Sequence, residues 1–236
     1  MPGLGVQITW LGHATVLYQS TKGTRVLVDA WVDGNPACPA ASKDLGSLDL
    51  MLLTHAHSDH FADAVTLAKK HAPDVVCNFE TSLWLGKQGV TKTHGMNKGG
   101  TLALHGIRIT MVHAMHSNSI RDGDRLLLAG EACGFVLEFE NGTRVYHAGD
   151  TGIFGDMKLI AELYRPSIAV LPIGDHYTMS PYEAAAAAKM MGVSTVVPIH
   201  HSTFPILTGT PAELRKQLAD RKDIAVLDLV PGQTAT

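Results

Sequence analysis

The feature that most limits the fold of this chain is an apolar strand that runs directly into a loop crowded with histidine and aspartate. Residues 48–53 are almost all apolar, which is typical of a strand buried on both of its faces. The loop that follows reads THAHSDH (residues 54–60), and apolar residues at helical spacing continue through residues 61–71. The pattern predicts a strand–loop–helix unit, as found in α/β proteins.

The two halves of the chain are each predicted to contain several strands and helices. The first half has strands at residues 6–10, 15–19, 25–29, 48–53 and 75–77, with helices at 61–71 and 81–88. The second half has strands at 107–112, 135–140, 143–147, 168–173, 195–199 and 225–229, with helices at 156–163, 181–191 and 211–219. Each half is predicted to be a mixed sheet with helices on one face. The two halves then form an α/β (α+β) fold, a four-layer αββα sandwich. Nothing resembling a linker separates them, so residues 1–236 are expected to form a single domain.

The composition narrows the class of protein. Hydrophobic residues make up 45% of the 236 and charged residues only 17%, which excludes a disordered chain. The net charge of −3 comes without any basic stretch, so a nucleic-acid partner is not expected. No apolar run is long enough to span a membrane, and three widely spaced cysteines fit a reducing compartment. We therefore expect a cytoplasmic protein without a membrane partner.

The loop after the buried strand carries four potential metal ligands within six residues: His55, His57, Asp59 and His60. Alternate residues of an extended segment point the same way, so the first three would surround one centre. The bend into the following helix would turn His60 toward a second point. Imidazole and carboxylate without thiolate suit zinc, iron or manganese. The alternative is a polar turn that is merely rich in histidine.

The HxHxDH pattern of residues 55–60 resembles the signature of the metallo-β-lactamase superfamily of binuclear metal hydrolases. Positions that match the later ligands of the family follow in the same order: His116 before a serine, Asp150 in HAGDT, and His200 in PIHH. The match extends from Trp10 to Pro205, which is most of the chain. Within the superfamily, the sequence is similar to small metal-dependent hydrolases such as the ascorbate-6-phosphate lactonase group, and the resemblance implies the metallo-β-lactamase fold.

The resemblance also implies how the ligands are shared. One metal would be held by His55, His57 and His116, the other by Asp59, His60 and His200, with Asp150 bridging the two. The cofactors would be two divalent ions, zinc first, with manganese, iron or nickel as alternatives. Two such ions outweigh two carboxylates and one hydroxide in charge, so we expect a small, anionic substrate.

The chemistry of such a site predicts hydrolysis. A metal-bridging hydroxide would attack a small ester, lactone or phosphodiester without an enzyme nucleophile. Asp59 is the catalytic residue expected to orient the hydroxide and move its proton, because one of its oxygens stays free. His176 and His201 are predicted to donate hydrogen bonds to the oxyanion or the substrate.

Five further residues are expected to contact metal ligands or substrate: His13, Asp29, His147, Asp175 and Thr178. Each has an alternative interpretation. His13 could be an ordinary loop histidine, and Asp29 could cap a strand end. His113 competes with His116 for the middle ligand position, because the two lie three residues apart near one strand end.

Two other functions fit part of the pattern. A di-iron redox protein is one, although such members of the superfamily commonly have Glu where this chain has His57. An RNA- or DNA-processing phosphodiesterase is the other, although no basic arm is visible. The sequence leaves open the substrate, the native metal, the role of His201 and the oligomeric state, with a homo-oligomer among the alternatives.

Overall fold

Sixteen strands and six α-helices make up the computed structural model, which describes residues 3–236. The strands are β1 (Gln7–Gly12), β2 (Thr15–Gln19), β3 (Arg25–Val28), β4 (Leu50–Leu52), β5 (Asp74–Asn78), β6 (Thr93–Met96), β7 (Thr101–Leu104), β8 (Ile107–His113), β9 (Ser119–Asp122), β10 (Arg125–Leu128), β11 (Cys133–Glu138), β12 (Arg144–His147), β13 (Ile168–Pro172), β14 (Thr195–Ile199), β15 (Ala225–Val226) and β16 (Thr234–Ala235). The helices are α1 (Ser58–Phe61), α2 (Ala64–His71), α3 (Phe79–Lys87), α4 (Met157–Tyr164), α5 (Pro181–Met191) and α6 (Pro211–Gln217).

The strands form two mixed sheets of seven strands each and one separate hairpin. The first sheet has the order β16-β1-β2-β3-β4-β5-β6, and the second has the order β15-β14-β13-β12-β11-β8-β7. In the first sheet, β3 to β6 are parallel, and in the second, β12 to β15 are parallel. The remaining pairs are antiparallel. Strands β9 and β10 pair only with each other.

The core shows why these strands stack as two layers. Leu50 and Leu52 of β4 pack in a cluster that joins the facing sides of both sheets, whereas Met51 packs in a second cluster with residues of α2 and α3. Val170 of β13 belongs to the central cluster, and its neighbour Leu171 packs with residues of α4, α5 and α6. Because side chains alternate along a strand, both faces of each sheet are apolar. This confirms the predicted αββα sandwich.

The helix predicted at residues 61–71 is divided in two. Asp63 interrupts it, because its carboxylate accepts hydrogen bonds from the backbone N–H groups of Val32 and Asp33, at 2.6 and 2.8 Å. The N–H of Asp63 in turn donates to the carbonyl of Ala30 at 2.9 Å. These bonds fix α2 to the loop after β3. The short helix α1 that precedes it contains the last residues of the THAHSDH loop.

Helix α5 begins where the sequence predicts. The Ser180 hydroxyl accepts a hydrogen bond from the Glu183 N–H, the Glu183 carboxylate accepts one from the Ser180 N–H, and Pro181 occupies the first turn. With eleven residues, α5 is the longest helix described. Across residues 3–236, no helix combines the length and the apolar character needed to cross a membrane.

Several short strands are absent from the sequence-based prediction: β6, β7, β9, β10 and β16. The last of these, near the end of the chain, pairs with β1 in the first sheet, where Ile8 lies opposite Ala235. The strand predicted at residues 225–229 is shorter and covers only Ala225–Val226. Such segments have little periodicity of their own, and their neighbours in the sheet decide their conformation.

Candidate metal centre

The candidate metal ligands follow strands whose carboxyl ends lie at one edge of the two sheets. His55 and His57 come directly after β4, and His116 follows β8. Asp150 follows β12, and His200 follows β14. Parallel strands direct the loops that follow them to the same edge, which is where α/β proteins build their sites. The topology therefore gathers residues that are far apart in the chain.

One group of candidates consists of His55, His57 and His116, whose ligand nitrogens all lie within 4.8 Å of one another. His55 Nε2 lies 3.1 Å from His57 Nδ1, and the His55 and His116 ring centroids are 5.0 Å apart. The rival His113 is exposed, and its Nδ1 lies 3.0 Å from the Lys98 ammonium nitrogen. The structure thus brings His116 to this group and leaves His113 outside it.

The second group contains Asp59, His60 and His200, with His13 beside them, again within 4.8 Å. Asp59 and His60 are neighbours in α1. The Asp59 Oδ2 atom lies 3.8 Å from His200 Nε2 and 3.9 Å from His60 Nε2. His200 has a left-handed backbone with φ of 56°, and its N–H donates to the carbonyl of His13 at 2.7 Å.

Asp150 lies between the two groups. Its Oδ2 is 3.1 Å from His200 Nε2, 3.2 Å from His60 Nε2, 3.7 Å from His116 Nε2 and 4.0 Å from His55 Nε2. The turn that carries it requires Gly149, which has φ of 63° and would place any Cβ 2.8 Å from the Thr54 side chain. One carboxylate oxygen therefore faces histidines of both groups.

The donor set fits divalent metal ions. His60 Nε2 and Asp150 Oδ1 are buried, and neither has a hydrogen-bond partner within residues 3–236. Burial lowers the pKa of His55 and so keeps it neutral, as a ligand must be. Burial would raise the pKa of Asp150, but the nearby His200 and His60 hold it well below its usual range. Imidazole nitrogens around an ionised carboxylate are the donors that zinc and its neighbours accept.

Asp29 orients two of these histidines. Its carboxylate accepts hydrogen bonds from the Thr54 N–H and hydroxyl, each at 2.8 Å, and from His60 Nδ1 at 2.7 Å. The Thr54 hydroxyl also lies 3.0 Å from His55 Nδ1. Both imidazoles thus use Nδ1 for these bonds and keep Nε2 for a metal. Asp29 itself lies within 4.8 Å of His55 and His60, but its oxygens are already hydrogen-bonded.

His13 holds Asp59 in place. Its Nε2 donates to Asp59 Oδ2 at 2.9 Å, and its Nδ1 lies 3.0 Å from the Thr203 hydroxyl. The side chain is completely buried, which lowers the pKa of His13 to about 4. With both ring nitrogens hydrogen-bonded, His13 contacts a ligand candidate without being free to bind a metal. Its left-handed backbone, with φ of 53°, belongs to the turn between β1 and β2.

A cavity of about 560 Å³ opens over the two groups. Its lining consists of Trp31, His57, Ser58, Asp59, Ala62, His116, Ser117, Asp150, Tyr177, His200 and Phe204. The loop that was expected to supply Asp175, His176 and Thr178 reaches the cavity through Tyr177 instead. Asp175 and His176 both have left-handed backbones, with φ of 65° and 57°, and both side chains are exposed.

Two other residues that were expected to contact the site, His201 and His147, have their side chains elsewhere. His201 does not line the cavity; its ring stacks on Trp10 at 4.7 Å, because the chain reverses at the left-handed His200. His147 is buried between the sheets, where its Nδ1 bonds the Tyr18 hydroxyl at 2.8 Å. Neither side chain has a hydrogen bond to a ligand candidate within the described residues.

Three polar residues that support the site are not among those predicted from the sequence: Thr54, Asn118 and Thr203. Asn118 accepts a hydrogen bond from the Ala56 N–H at 2.8 Å and so fixes the loop between His55 and His57. Thr54 and Thr203 bond the ring nitrogens described above. Adjacency to the histidine-rich segments could have suggested Thr54 and Asn118, whereas Thr203 becomes evident only in the folded chain.

Comparison with known proteins agrees with this geometry. Residues 24–201 match the family model described as a beta-lactamase superfamily domain. The chain belongs to this superfamily. A UPF0173 metal-dependent hydrolase of Koribacter versatilis is 53% identical to this chain over 232 residues. The alignment covers 98% of this chain and 97% of the relative. The expected family is therefore confirmed, while the narrower likeness to the ascorbate-6-phosphate lactonase group stays a prediction.

Solved structures with a similar fold extend the comparison. Igni18, a metallo hydrolase from Ignicoccus hospitalis, has a TM-score of 0.86 and 32% identity, with 98% of this chain and 97% of that one covered. An isothiocyanate hydrolase from Delia radicum gut bacteria has a TM-score of 0.74 and 25% identity, with 98% of each chain covered. The protein is thus a metal-dependent hydrolase with the metallo-β-lactamase fold, as the sequence predicted.

Proposed function

We propose that the protein is a binuclear hydrolase that adds water across a small ester, lactone or phosphodiester bond. The observation that supports it is the position of Asp150 Oδ2, within 4.0 Å of histidines from both groups. One ion would be held by His55, His57 and His116, the other by Asp59, His60 and His200, with Asp150 shared. A carboxylate between two nitrogen-rich groups is the arrangement expected of a two-metal site.

Two divalent ions would supply an activated water and polarise the carbonyl or phosphoryl oxygen of the substrate. Zinc is the first choice for these donors, with manganese, iron and nickel as alternatives. In the proposed hydrolysis, the water oxygen bonds to the carbonyl carbon or phosphorus, and the bond from that atom to the leaving oxygen breaks. A proton of the water passes to the leaving oxygen.

Asp59 is the side chain that we assign to orienting the water and moving its proton. It lines the cavity, 31% of its side chain is exposed, and His13 holds its Oδ2. Burial alone would raise the pKa of Asp59, but the hydrogen bond from His13 and the charge of His60 keep it below its usual range. An ionised carboxylate at the cavity surface can accept a proton from water. We assign no part in the reaction to His176 or His201.

The substrate is a small molecule in this proposal, and the charge of two divalent ions favours an anionic group or one that becomes anionic during the reaction. One structurally similar protein is an isothiocyanate hydrolase. A useful panel therefore contains lactones, carboxylic esters, phosphodiesters, sugar phosphates and an isothiocyanate.

The test combines metal analysis with this panel. We expect about two transition-metal ions per chain and hydrolysis of at least one class of compound. Asp150→Ala should lower the occupancy of both metal positions, whereas His116→Ala should mainly affect one. His113→Ala is the matched control. His113 is the last residue of β8, the strand that precedes His116, and its side chain is exposed and lies outside both groups of ligand candidates.

Fewer than about one ion per chain after reconstitution, with no hydrolysis, would refute the proposed function. Equal metal loss in the Asp150 and His116 variants would refute the shared position of Asp150. Loss of metal in the His113 variant would mean that His113, and not His116, is the ligand from this segment.

A further inference from the structure

The cavity over the metal centre has two kinds of lining. Five of its residues are metal-ligand candidates: His57, Asp59, His116, Asp150 and His200. The others are aromatic, small or hydroxylic: Trp31, Ser58, Ala62, Ser117, Tyr177 and Phe204. A volume of about 560 Å³ lies within the range of small-molecule pockets. The lining side chains that are not ligand candidates are thus available to contact the part of a substrate outside the bond that is hydrolysed. We call this part the body of the substrate.

Trp31 and Phe204 form an aromatic wall on the Asp59 side of the cavity. Their ring centroids are 6.1 Å apart and their planes are inclined by 23°. Both rings also pack edge-on against His13, with centroid distances of 5.3 and 5.7 Å. Since His13 is buried and bonded to Asp59, the aromatic wall has a fixed position beside that carboxylate.

The backbone behind the aromatic wall is also fixed. The Trp31 carbonyl accepts hydrogen bonds from the Thr15 hydroxyl at 3.0 Å and from the Asn35 amide at 3.2 Å. The Phe204 carbonyl accepts one from the Leu207 N–H at 3.0 Å. The two rings, which pack on each other and against His13, offer flat apolar area to a substrate.

No lysine or arginine lines the cavity in the part of the chain that the structure describes. Protein sites for phosphates and carboxylates usually supply guanidinium or ammonium groups. An anionic group lying against the aromatic wall would lose hydration without gaining a partner of opposite charge. The metal ions would be the cations nearest to such a group, but the bond that is hydrolysed must itself bind at those ions.

We propose that the substrate is a carboxylic ester or lactone whose body is neutral and apolar and lies against Trp31 and Phe204. The inference rests on the proposed hydrolase function and names the substrate class of that same site. The positive charge of the metal centre then serves the oxygen that becomes negative as water adds to the carbonyl carbon. Phosphorylated substrates are disfavoured, because the cavity offers no side chain for a second anionic group.

A matched pair of esters tests the charge of the body. The compounds 4-nitrophenyl hexanoate and mono-4-nitrophenyl adipate share a leaving group and an acyl chain of the same length, and differ in a terminal methyl or carboxylate. With the metal-loaded protein, and after subtraction of the rate without protein, we expect kcat/KM to be at least about tenfold higher for the hexanoate. An equal or higher kcat/KM for the adipate would overturn the inference.

Binding of a ketone tests the aromatic wall without hydrolysis. Butyrophenone has a phenyl ring and a carbonyl but no bond to hydrolyse, and its dissociation constant can be measured by calorimetry. Phe204→Ala and Trp31→Ala should each raise this constant at least about fivefold. Tyr182→Ala is the control, because Tyr182 is a highly exposed aromatic residue of α5 outside the cavity.

The two measurements separate this inference from the proposed function. If no ester is hydrolysed and no metal is bound, the hydrolase proposal fails, while the butyrophenone constants still decide whether the wall binds apolar bodies. If metal is bound and only anionic esters are hydrolysed, the hydrolase proposal stands and this inference fails. Unchanged or unmeasurable binding of butyrophenone across the wild type and both wall variants also overturns it.

Discussion

His13 is buried at the candidate metal centre and positions one of its ligand candidates, Asp59. Its two ring nitrogens bond Asp59 and Thr203, which lie in different segments at the site. Its ring also packs edge-on against Trp31 and Phe204, the two residues of the aromatic wall. His13 is therefore a positioning residue for Asp59, and its loss should affect the ion next to Asp59 more than the other.

We expect His13→Ala to weaken binding of one of the two ions by about 10- to 100-fold, the usual effect of losing a partner of a metal ligand. The ion proposed to bind His55, His57 and His116 should keep its affinity, because His13 has no hydrogen bond to those histidines. Competition with a chromophoric chelator would resolve the two affinities. His201→Gln is the control, since His201 is buried beside His200 but stacks on Trp10. Equal weakening of both ions in His13→Ala would contradict this role.

At the scale of elements, one buried hydrogen bond links the two sheets behind the site. The Tyr18 hydroxyl of β2 lies 2.8 Å from His147 Nδ1 of β12, and both side chains are fully buried. Burial lowers the pKa of His147 to about 4. The ordinary histidine pKa is about 6.5, so His147 takes up its proton more readily in the unfolded chain.

This difference makes stability depend on pH. Between pH 6.5 and about 4 the unfolded chain binds more protons, so the free energy of unfolding should fall as the pH is lowered. The contribution of His147 is at most about 3 kcal/mol. Urea denaturation at pH 6.5 and 4.5, with chelator present to remove metal linkage, should show a smaller loss in His147→Gln than in the wild type. Identical losses would mean that His147 is not held neutral by the fold.

At the scale of the whole molecule, the candidate metal centre lies between the two sheets and takes residues from both. His55, His57, Asp59 and His60 follow β4 of the first sheet, whereas His116, Asp150 and His200 follow strands of the second. Each proposed metal position draws ligands from both. Because such sites are not formed in the unfolded chain, metal binding should stabilise the sandwich.

Removing metal should therefore lower the melting temperature. With free ion at 100 times its dissociation constant, one site contributes about 2.7 kcal/mol. For a protein of this size, that corresponds to a fall of about 5–10 °C, measured by calorimetry with and without chelator. Asp150→Ala should show a much smaller difference, because it has lost the shared ligand. A wild-type protein that melts at the same temperature in both conditions would argue against metal-linked folding.

The features that follow from local sequence were predictable. The αββα sandwich, the start of α5 at its capping box, and the four close ligands of the THAHSDH loop all depend on residue periodicity or adjacent residue types. The resemblance to a known family supplied the order of the later ligand candidates, and the family itself is confirmed.

The rest depends on contacts between distant segments. Left-handed residues at His13, Asp175, His176 and His200 turn the chain where no periodic pattern applies, so Tyr177 lines the cavity and His201 does not. The sequence by itself determined the longer strands and helices and the chemical types of the candidate ligands, because these follow from neighbours in the chain. Only the tertiary structure decided which side chains meet and what lines the cavity, because side-chain direction after a turn depends on long-range hydrogen bonds and packing.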